Sequence, residues 1–162
     1  MIDGELRGMA AKLIDLCRAK GLKLVTAESC TGGLIAAALT EIPGSSDVLE
    51  RGFVTYSNAA KEANLGVSAE ILRRYGAVSE EAARAMAAGA LTASPADLSI
   101  AVTGIAGPDG GSAEKPVGLV HFAAARRGGK TFYREVRFGD VGRSEVRRRS
   151  VIAALALVAE LV

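Results

Sequence analysis

The chain has 162 residues, of which 49% are hydrophobic and 23% are charged. This length is enough for one domain with its own core, and the composition excludes a disordered chain. The net charge is only +2 and aromatic residues make up 4%, so the concentrated basic face and stacking aromatics of a nucleic-acid binder are not expected. The longest apolar stretch, 151–162, is too short to span a bilayer. We therefore predict a single domain over residues 1–162, located in the cytoplasm, with no nucleic-acid or membrane partner.

The two cysteines, Cys17 and Cys30, form neither a CxxC pair nor a recognisable zinc spacing. No set of histidine, cysteine and carboxylate residues has the spacing of metal ligands, so we expect no metal and no other cofactor. Cys17 falls on the apolar face of the first predicted helix and is expected to be a core residue.

Hydrophobic periodicity and capping residues divide the chain into alternating helices and strands. The predicted elements, in order, are a helix over 3–20, a strand over 22–27, a helix from 34 to about 44, a strand over 51–56, helices over 59–64, 69–75 and 80–92, strands over 97–103, 117–125 and 131–138, and a helix over 144–161. Asn58, Ser68 and Ser79 are the predicted N-caps of the three central helices.

Helices separate the first three strands, and a hairpin follows them. This order predicts a three-layer α/β/α sandwich with a mixed, mostly parallel sheet that ends in an antiparallel hairpin. Ligands of such folds bind at the carboxyl ends of the strands. The turn after Ala27, the segment that begins at Tyr56 and the loop after Thr103 are therefore predicted to meet at one edge of the sheet.

The first candidate segment is the turn after the first strand. It contains four polar or nucleophilic side chains followed by two glycines: Glu28, Ser29, Cys30, Thr31, Gly32 and Gly33. Free backbone N–H groups at such a turn can hold an anion or a polar substrate. An ordinary helix start would look the same. There is no Gly-Lys-Ser/Thr sequence, so a P-loop is excluded.

The second candidate segment runs from Tyr56 through Asn58 to Lys61. A lysine at the start of a short helix, just after a strand, can lie over the same sheet edge. When desolvated, it can act as a general base or activate a hydroxyl nucleophile where histidine is lacking. A solvated helix lysine and an aromatic residue at a sheet edge are the ordinary alternatives.

The third candidate segment is the glycine-rich loop after the third strand. Its candidate residues are Thr103, Gly104, Gly107, Gly110 and Gly111. Backbone N–H groups freed by such glycines can form an anion-binding nest or an oxyanion hole. A surface loop also needs glycine, but a run of this length directly after a buried strand favours a site.

Arginine, histidine and cysteine side chains are further candidates for chemistry. Arg143 and Arg147 lie one helical turn apart and could clamp a phosphate or carboxylate, whereas a solvated face is expected for Arg148 and Arg149. His121, the only histidine, is predicted in mid-strand far from the turns, which makes Ser-His-Asp catalysis unlikely on this chain. Cys30 could be a nucleophile at a helix N-terminus, where a thiol pKa falls, but without a positioned histidine it ranks behind Ser29.

Taken together, four segments resemble one family. They are Thr-Ala-Glu-Ser-Cys-Thr-Gly-Gly at 26–33, Arg-Gly-Phe-Val-Thr-Tyr-Ser-Asn-x-x-Lys at 51–61, Gly-Ala-Val-Ser-Glu at 76–80, and Gly-Ile-Ala-Gly-Pro-Asp-Gly-Gly-x-x-Glu-Lys-Pro-Val-Gly at 104–118. This pattern is similar to that of the CinA C-terminal domain family, whose stand-alone form is nicotinamide-nucleotide amidase. The resemblance extends from about Leu6 to the last helix.

The resemblance implies metal-free deamidation of nicotinamide mononucleotide to nicotinate mononucleotide and ammonia. Carried over residue by residue, Ser29 would be the nucleophile and Lys61 its base, with Tyr56 and Thr103 close to the reacting amide. The family's late Gly-Asp-Arg-x-x-Val-Arg motif is altered here. Its two arginines still match Arg143 and Arg147, but Asp140 is displaced by two residues.

Amide hydrolysis needs a nucleophile, a proton acceptor and donors for the oxyanion. We expect Lys61 to be buried with a depressed pKa, and the N–H groups near Cys30, Thr31 and Gly104 to be candidate oxyanion donors. The phosphate would lie on the helix start at 31–33 or on the loop 107–111, helped by Arg143.

Two alternatives stay open at this stage. One is a non-catalytic nucleotide-binding module of a competence- or DNA-damage-related protein, and the other is duplex binding through residues 143–149. A homodimer is a further expectation from the alanine-rich composition.

Overall fold

The computed structural model describes residues 2–162. Its elements are α1 (Gly4–Ala19), β1 (Leu24–Glu28), α2 (Leu34–Thr40), a 3-10 turn (Ser45–Asp47), β2 (Leu49–Val54), α3 (Asn58–Leu65), α4 (Ala69–Tyr75), α5 (Glu80–Thr92), β3 (Leu98–Gly104), β4 (Leu119–Arg126), β5 (Thr131–Arg137) and α6 (Arg143–Ala159). Each predicted helix and strand has a counterpart. The 3-10 turn has none, and β2 begins and ends earlier than predicted.

The five strands form one mixed sheet in the order β2-β1-β3-β4-β5. β1 lies parallel to both β2 and β3, whereas β4 lies antiparallel to β3 and to β5. The predicted α/β/α fold is confirmed, with the parallel pairs on one side of β3 and the hairpin on the other. Because β1, β2 and β3 all point the same way, the segments that follow them meet at one edge.

The two faces of the sheet carry side chains of different size. One face presents bulky residues such as Ile100, Val102 and Phe122 to α1, α2 and α6. The opposite face presents small residues, including Ala27, Ala101 and Ala123, to the helices α3 to α5. Small side chains let the alanine-rich α5 approach the sheet closely, and this contact accounts for the alanine content.

Side-chain caps fix the starts of α3, α4 and α5. Ser68 accepts a hydrogen bond from the Ile71 N–H at 3.2 Å, and Ser79 accepts one from Ala82 at 3.1 Å, so both predicted caps are confirmed. The prediction for α3 was wrong by one residue, because Ser57 caps this helix by accepting from the Ala60 N–H at 3.0 Å. Asn58 is instead the first helical residue.

Close packing of α5 on α3 predicts the effect of one substitution. A Cβ added at Gly89 would lie 1.8 Å from the backbone oxygen of Leu65, whereas one added at Gly8 on α1 would meet nothing within 4 Å. Alanine favours a helix over glycine by about 1 kcal/mol, so Gly8→Ala should be neutral or stabilising. Gly89→Ala should lower the free energy of unfolding by about 2 kcal/mol or more, because the backbones must separate. Urea unfolding of both variants tests this, and equal stability would contradict the packing.

Candidate active site

The turn after β1 is held rigidly by hydrogen bonds of Glu28 and Ser29. The fully buried Glu28 carboxylate accepts from the N–H groups of Gly33 at 3.2 Å, Ile35 at 2.9 Å and Ala36 at 3.1 Å. The Ser29 N–H donates to the Val102 carbonyl on β3 at 3.0 Å. This turn therefore presents Ser29 at a fixed position beside the end of β3.

Glu28 also changes the expected role of the helix start. Its carboxylate accepts from Gly33, Ile35 and Ala36, so the Gly33 N–H of the predicted anion site at 31–33 is occupied, whereas the Thr31 N–H has no protein acceptor within residues 2–162. Gly32 and Gly33 have φ values of 58° and 99°, a left-handed conformation that glycine adopts without strain. The two glycines therefore shape the turn, and their role in ligand binding stays a prediction.

Lys61 reaches the same position from α3. Its Nζ lies 3.0 Å from Ser29 Oγ and 2.8 Å from the Thr55 carbonyl oxygen. The side chain is 1% exposed, and this burial lowers the pKa of Lys61 below the ordinary lysine value because desolvation disfavours the ammonium. The predicted burial and the predicted direction of the pKa are both confirmed.

A cleft of about 280 Å³ opens above this pair, between the carboxyl ends of β1, β2 and β3. Predicted site residues that line it are Ser29, Cys30, Tyr56, Lys61, Thr103, Gly104, Gly107, Gly110 and Arg143. Outside its lining lie Glu28, Thr31, Gly32, Gly33, Asn58, Gly111 and Arg147. The structure thus brings the three predicted segments together at one edge and leaves the helix start of α2 out of the cleft.

The two candidate arginines have different contacts. Arg147 donates to the carbonyl oxygens of Cys30 at 3.1 Å and Thr31 at 3.0 Å. These hydrogen bonds stabilise the turn after β1. Arg143 lines the cleft and donates to the Gly107 carbonyl at 2.8 Å and to the Tyr56 hydroxyl at 2.9 Å. Of the two guanidinium groups, that of Arg143 is the one placed to meet a ligand.

Comparisons with known proteins agree with this architecture. Residues 6–162 match the family described as the CinA C-terminal domain. The chain belongs to this family. The chain is 50% identical to nicotinamide-nucleotide amidohydrolase PncC of Escherichia coli K12 over 156 residues. The aligned region covers 96% of this chain and 93% of the relative. The PncC of Enterobacter agglomerans is 49% identical, with coverage of 96% and 94%.

A solved structure shows the same fold. The competence/damage inducible protein CihA from Agrobacterium tumefaciens superposes with a TM-score of 0.98 at 53% sequence identity, covering 99% of this chain and 98% of that one. The mixed sheet and its flanking helices are therefore those of the CinA family.

Cys30 is not the activated thiol that its position near a helix N-terminus suggested. Burial raises the pKa of its thiol to about 12, and the charge of the nearby Glu28 carboxylate acts in the same direction. The expectation of a lowered thiol pKa is corrected, which leaves Ser29 as the candidate nucleophile in this CinA domain.

His121 lies closer to the cleft than its mid-strand position suggested, since it pairs directly with Thr103 across β3 and β4. It nevertheless lines a separate cavity and contacts Tyr133, with Nδ1 2.6 Å from the phenolic oxygen. Burial lowers the pKa of His121. It does not line the cleft with Ser29, so a Ser-His pair is not formed.

Sequence reasoning missed several residues of the cleft wall, namely Ala77, Val78, Ile105, Ala106 and Asp109. Asp109 lies inside the Gly-Pro-Asp-Gly-Gly loop, for which the sequence analysis predicted only the glycines as site residues. Ala77 and Val78 carry no reactive group, and the Gly-Ala-Val-Ser-Glu motif was the only signal for them.

Within residues 2–162, no helix combines the length and the apolar character needed to cross a membrane. In the same range, no group of three or more His, Cys, Asp or Glu side chains could hold a metal ion.

The lowered pKa of Lys61 makes stability depend on pH. Between that pKa and the ordinary value of 10.5, the unfolded chain keeps a proton that the folded chain has released, so stability rises with pH across this window. Lys61→Met removes this linkage. In urea unfolding, we expect the stability of the wild type relative to Lys61→Met to increase as the pH rises towards the ordinary lysine value of 10.5. The exposed-lysine variant Lys12→Met should show no such trend, and a pH-independent difference for Lys61→Met would contradict the lowered pKa.

Proposed function

We propose that the protein hydrolyses the carboxamide of nicotinamide mononucleotide to nicotinate mononucleotide and ammonia. Ser29 is the proposed nucleophile and Lys61 the proposed base. The observation that carries the proposal is the 3.0 Å contact between Lys61 Nζ and Ser29 Oγ at the floor of the cleft. The PncC names of relatives about 50% identical over nearly the whole chain supply the substrate.

A neutral lysine fits the contacts around Nζ. The Thr55 carbonyl can only accept, so it takes one N–H from Lys61. The lone pair of a neutral amine is then free to accept the Ser29 hydroxyl proton. A lysine whose pKa is lowered by burial can take this role at a lower pH than an ordinary lysine.

The proposed reaction follows from this pair. Ser29 Oγ bonds to the carboxamide carbon while its proton passes to Lys61. The C–N bond breaks, and the Lys61 ammonium returns the proton to the leaving nitrogen, which departs as ammonia. Water, deprotonated by Lys61, then attacks the ester carbon. The ester C–O bond breaks as Lys61 returns the proton to Ser29, and the acid product releases its own proton to solvent and leaves as nicotinate mononucleotide.

The negative charge that develops on the carboxamide oxygen during attack needs hydrogen-bond donors. The backbone N–H groups of Cys30 and Thr31 donate to no protein acceptor among residues 2–162, and they follow Ser29 directly. Free N–H groups next to a nucleophile match the arrangement of an oxyanion hole. Gly104, the third predicted donor, belongs to β3 and lines the cleft.

The phosphate is proposed to bind at Arg143. The N–H groups of Gly107 and Gly110 are likewise without protein acceptors within residues 2–162, and both residues line the cleft beside this arginine. A guanidinium and free loop amides are the groups that recognise phosphate.

The arginine run that suggested duplex binding is engaged within the protein. Arg148 pairs with Asp3, Glu5 and Glu145, and Arg149 pairs with Glu145. These carboxylates neutralise the basic face that a DNA duplex would need.

A module that binds nucleotide without turnover would have no need of the buried lysine, whose burial is costly.

Substitution of the proposed pair tests catalysis. Ser29→Ala and Lys61→Arg should each reduce ammonia release from nicotinamide mononucleotide by roughly a thousandfold, the second because arginine keeps its charge but does not deprotonate. Lys12→Arg, on the exposed face of α1, is the matched control. The wild-type rate should rise with pH as Lys61 loses its proton, over a range below that of an ordinary lysine. Full activity in Lys61→Arg would exclude lysine as the base.

The two arginines provide a paired test of phosphate binding. Arg143→Ala should raise the KM for nicotinamide mononucleotide by roughly tenfold or more and leave nicotinamide riboside, which lacks the phosphate, nearly unaffected. Arg147→Ala should instead lower the Tm, because the carbonyls of the Ser29 turn lose their donors. A similar loss on both substrates in Arg143→Ala would contradict the assignment.

A further inference from the structure

The hydroxyl of Thr103 has a fixed polarity. Thr103 is 1% exposed and lines the cleft, and its Oγ1 lies 2.7 Å from the Ala77 carbonyl oxygen. A hydroxyl has one proton and two lone pairs, whereas a carbonyl can only accept. The Thr103 proton is therefore committed to Ala77, and its oxygen offers only lone pairs to a ligand.

The short segment that carries the Ala77 carbonyl is held by a neighbouring hydrogen bond. Ala77 lies between α4 and α5, where the Ser79 hydroxyl donates to the Gly76 carbonyl at 2.8 Å. Rotation of the Thr103 hydroxyl towards the cleft would leave the Ala77 carbonyl without its donor, which carries a free-energy cost. Among residues 2–162 no other donor contacts Thr103 Oγ1.

Thr103 also stands beside the proposed nucleophile. Glu28 pairs with Val102 in the parallel register of β1 and β3, so the next residues along the two strands, Ser29 and Thr103, end side by side. Adjacent strands are about 5 Å apart. A carboxamide attacked by Ser29 therefore has one end within reach of the Thr103 oxygen.

We propose that Thr103 is a specificity-determining residue that accepts a hydrogen bond from the amide NH2 of the substrate and disfavours the carboxylate of the product. The inference rests on the proposed function and extends it to product release. An amide nitrogen presents two donors, whereas an ionised carboxylate presents only acceptors. Hydrolysis converts a matched contact into one between two acceptors, and this mismatch helps the product leave.

Direct binding measures this discrimination without turnover. In a Ser29→Ala background, titration calorimetry gives the Kd of nicotinamide mononucleotide and of nicotinate mononucleotide. The two ligands share ring, ribose and phosphate, so the contributions of Arg143 and the loop amides cancel in the ratio. We expect the amide to bind roughly tenfold more tightly than the acid when Thr103 is present.

Variants at Thr103 identify the source of that preference. Thr103→Val keeps the shape and removes the oxygen, and it should bring the ratio close to one. Thr103→Ser keeps the hydroxyl and should preserve the preference. Thr103→Ala removes the oxygen without the branched side chain and serves if the valine variant does not fold.

The possible results separate the two hypotheses. Two results would overturn the role of Thr103. One is equal Kd values for the amide and the acid while Thr103 is present, and the other is a preference for the amide that persists in Thr103→Val and Thr103→Ala. Ammonia release by the wild type, measured separately, would leave the proposed amidase activity standing in either case. Absence of both binding and wild-type turnover would overturn the proposed function together with this inference.

Discussion

The burial of Lys61 is the constraint on which the site depends. A lysine that is 1% exposed loses its hydration, and the interior must supply partners or remove the charge. The Thr55 carbonyl is one partner, and it is held because the Thr55 N–H donates to the Glu28 carbonyl at 2.8 Å. One chain of contacts therefore joins the ends of β1 and β2 to the start of α3, with Ser29 at its centre.

Glu28 and Lys61 show two ways of burying an ionisable group next to Ser29, the proposed nucleophile. Glu28 is surrounded by three backbone N–H groups, which stabilise a carboxylate and satisfy the start of α2. Lys61 has one carbonyl and one hydroxyl, too few partners for an ammonium with three donors. The Glu28 carboxylate thus satisfies N–H groups at the start of α2, whereas burial lowers the pKa of Lys61, which supports its proposed role as a base.

Local signals in the sequence were sufficient for the fold. Ser68 and Ser79 cap helices as their positions predict, and the order of helices and strands specified the layers. Contacts between distant residues carried no such signal. The hydrogen bond from Arg147 to the Cys30 carbonyl joins residues 117 positions apart. The hydrogen bonds from the N–H groups at the start of α2 to Glu28 depend on the burial of the Glu28 side chain. The thiol pKa of Cys30 was misjudged for the same reason, because desolvation is a property of the packed interior.

The small-residue face of the sheet links this packing to chemistry. Along β3, Ser99 donates to the Ala87 carbonyl at 2.8 Å and Thr103 donates to the Ala77 carbonyl at 2.7 Å. Both hydroxyls fasten the α5 side of the molecule to the sheet through a backbone acceptor, and both are buried. Ser99 lies under α5 and stabilises the contact alone. Thr103 lies at the open end of the strand, where the same bond also fixes the direction of its lone pairs. Position along one strand thus decides whether an identical hydrogen bond serves stability alone or also presents an acceptor to the cleft.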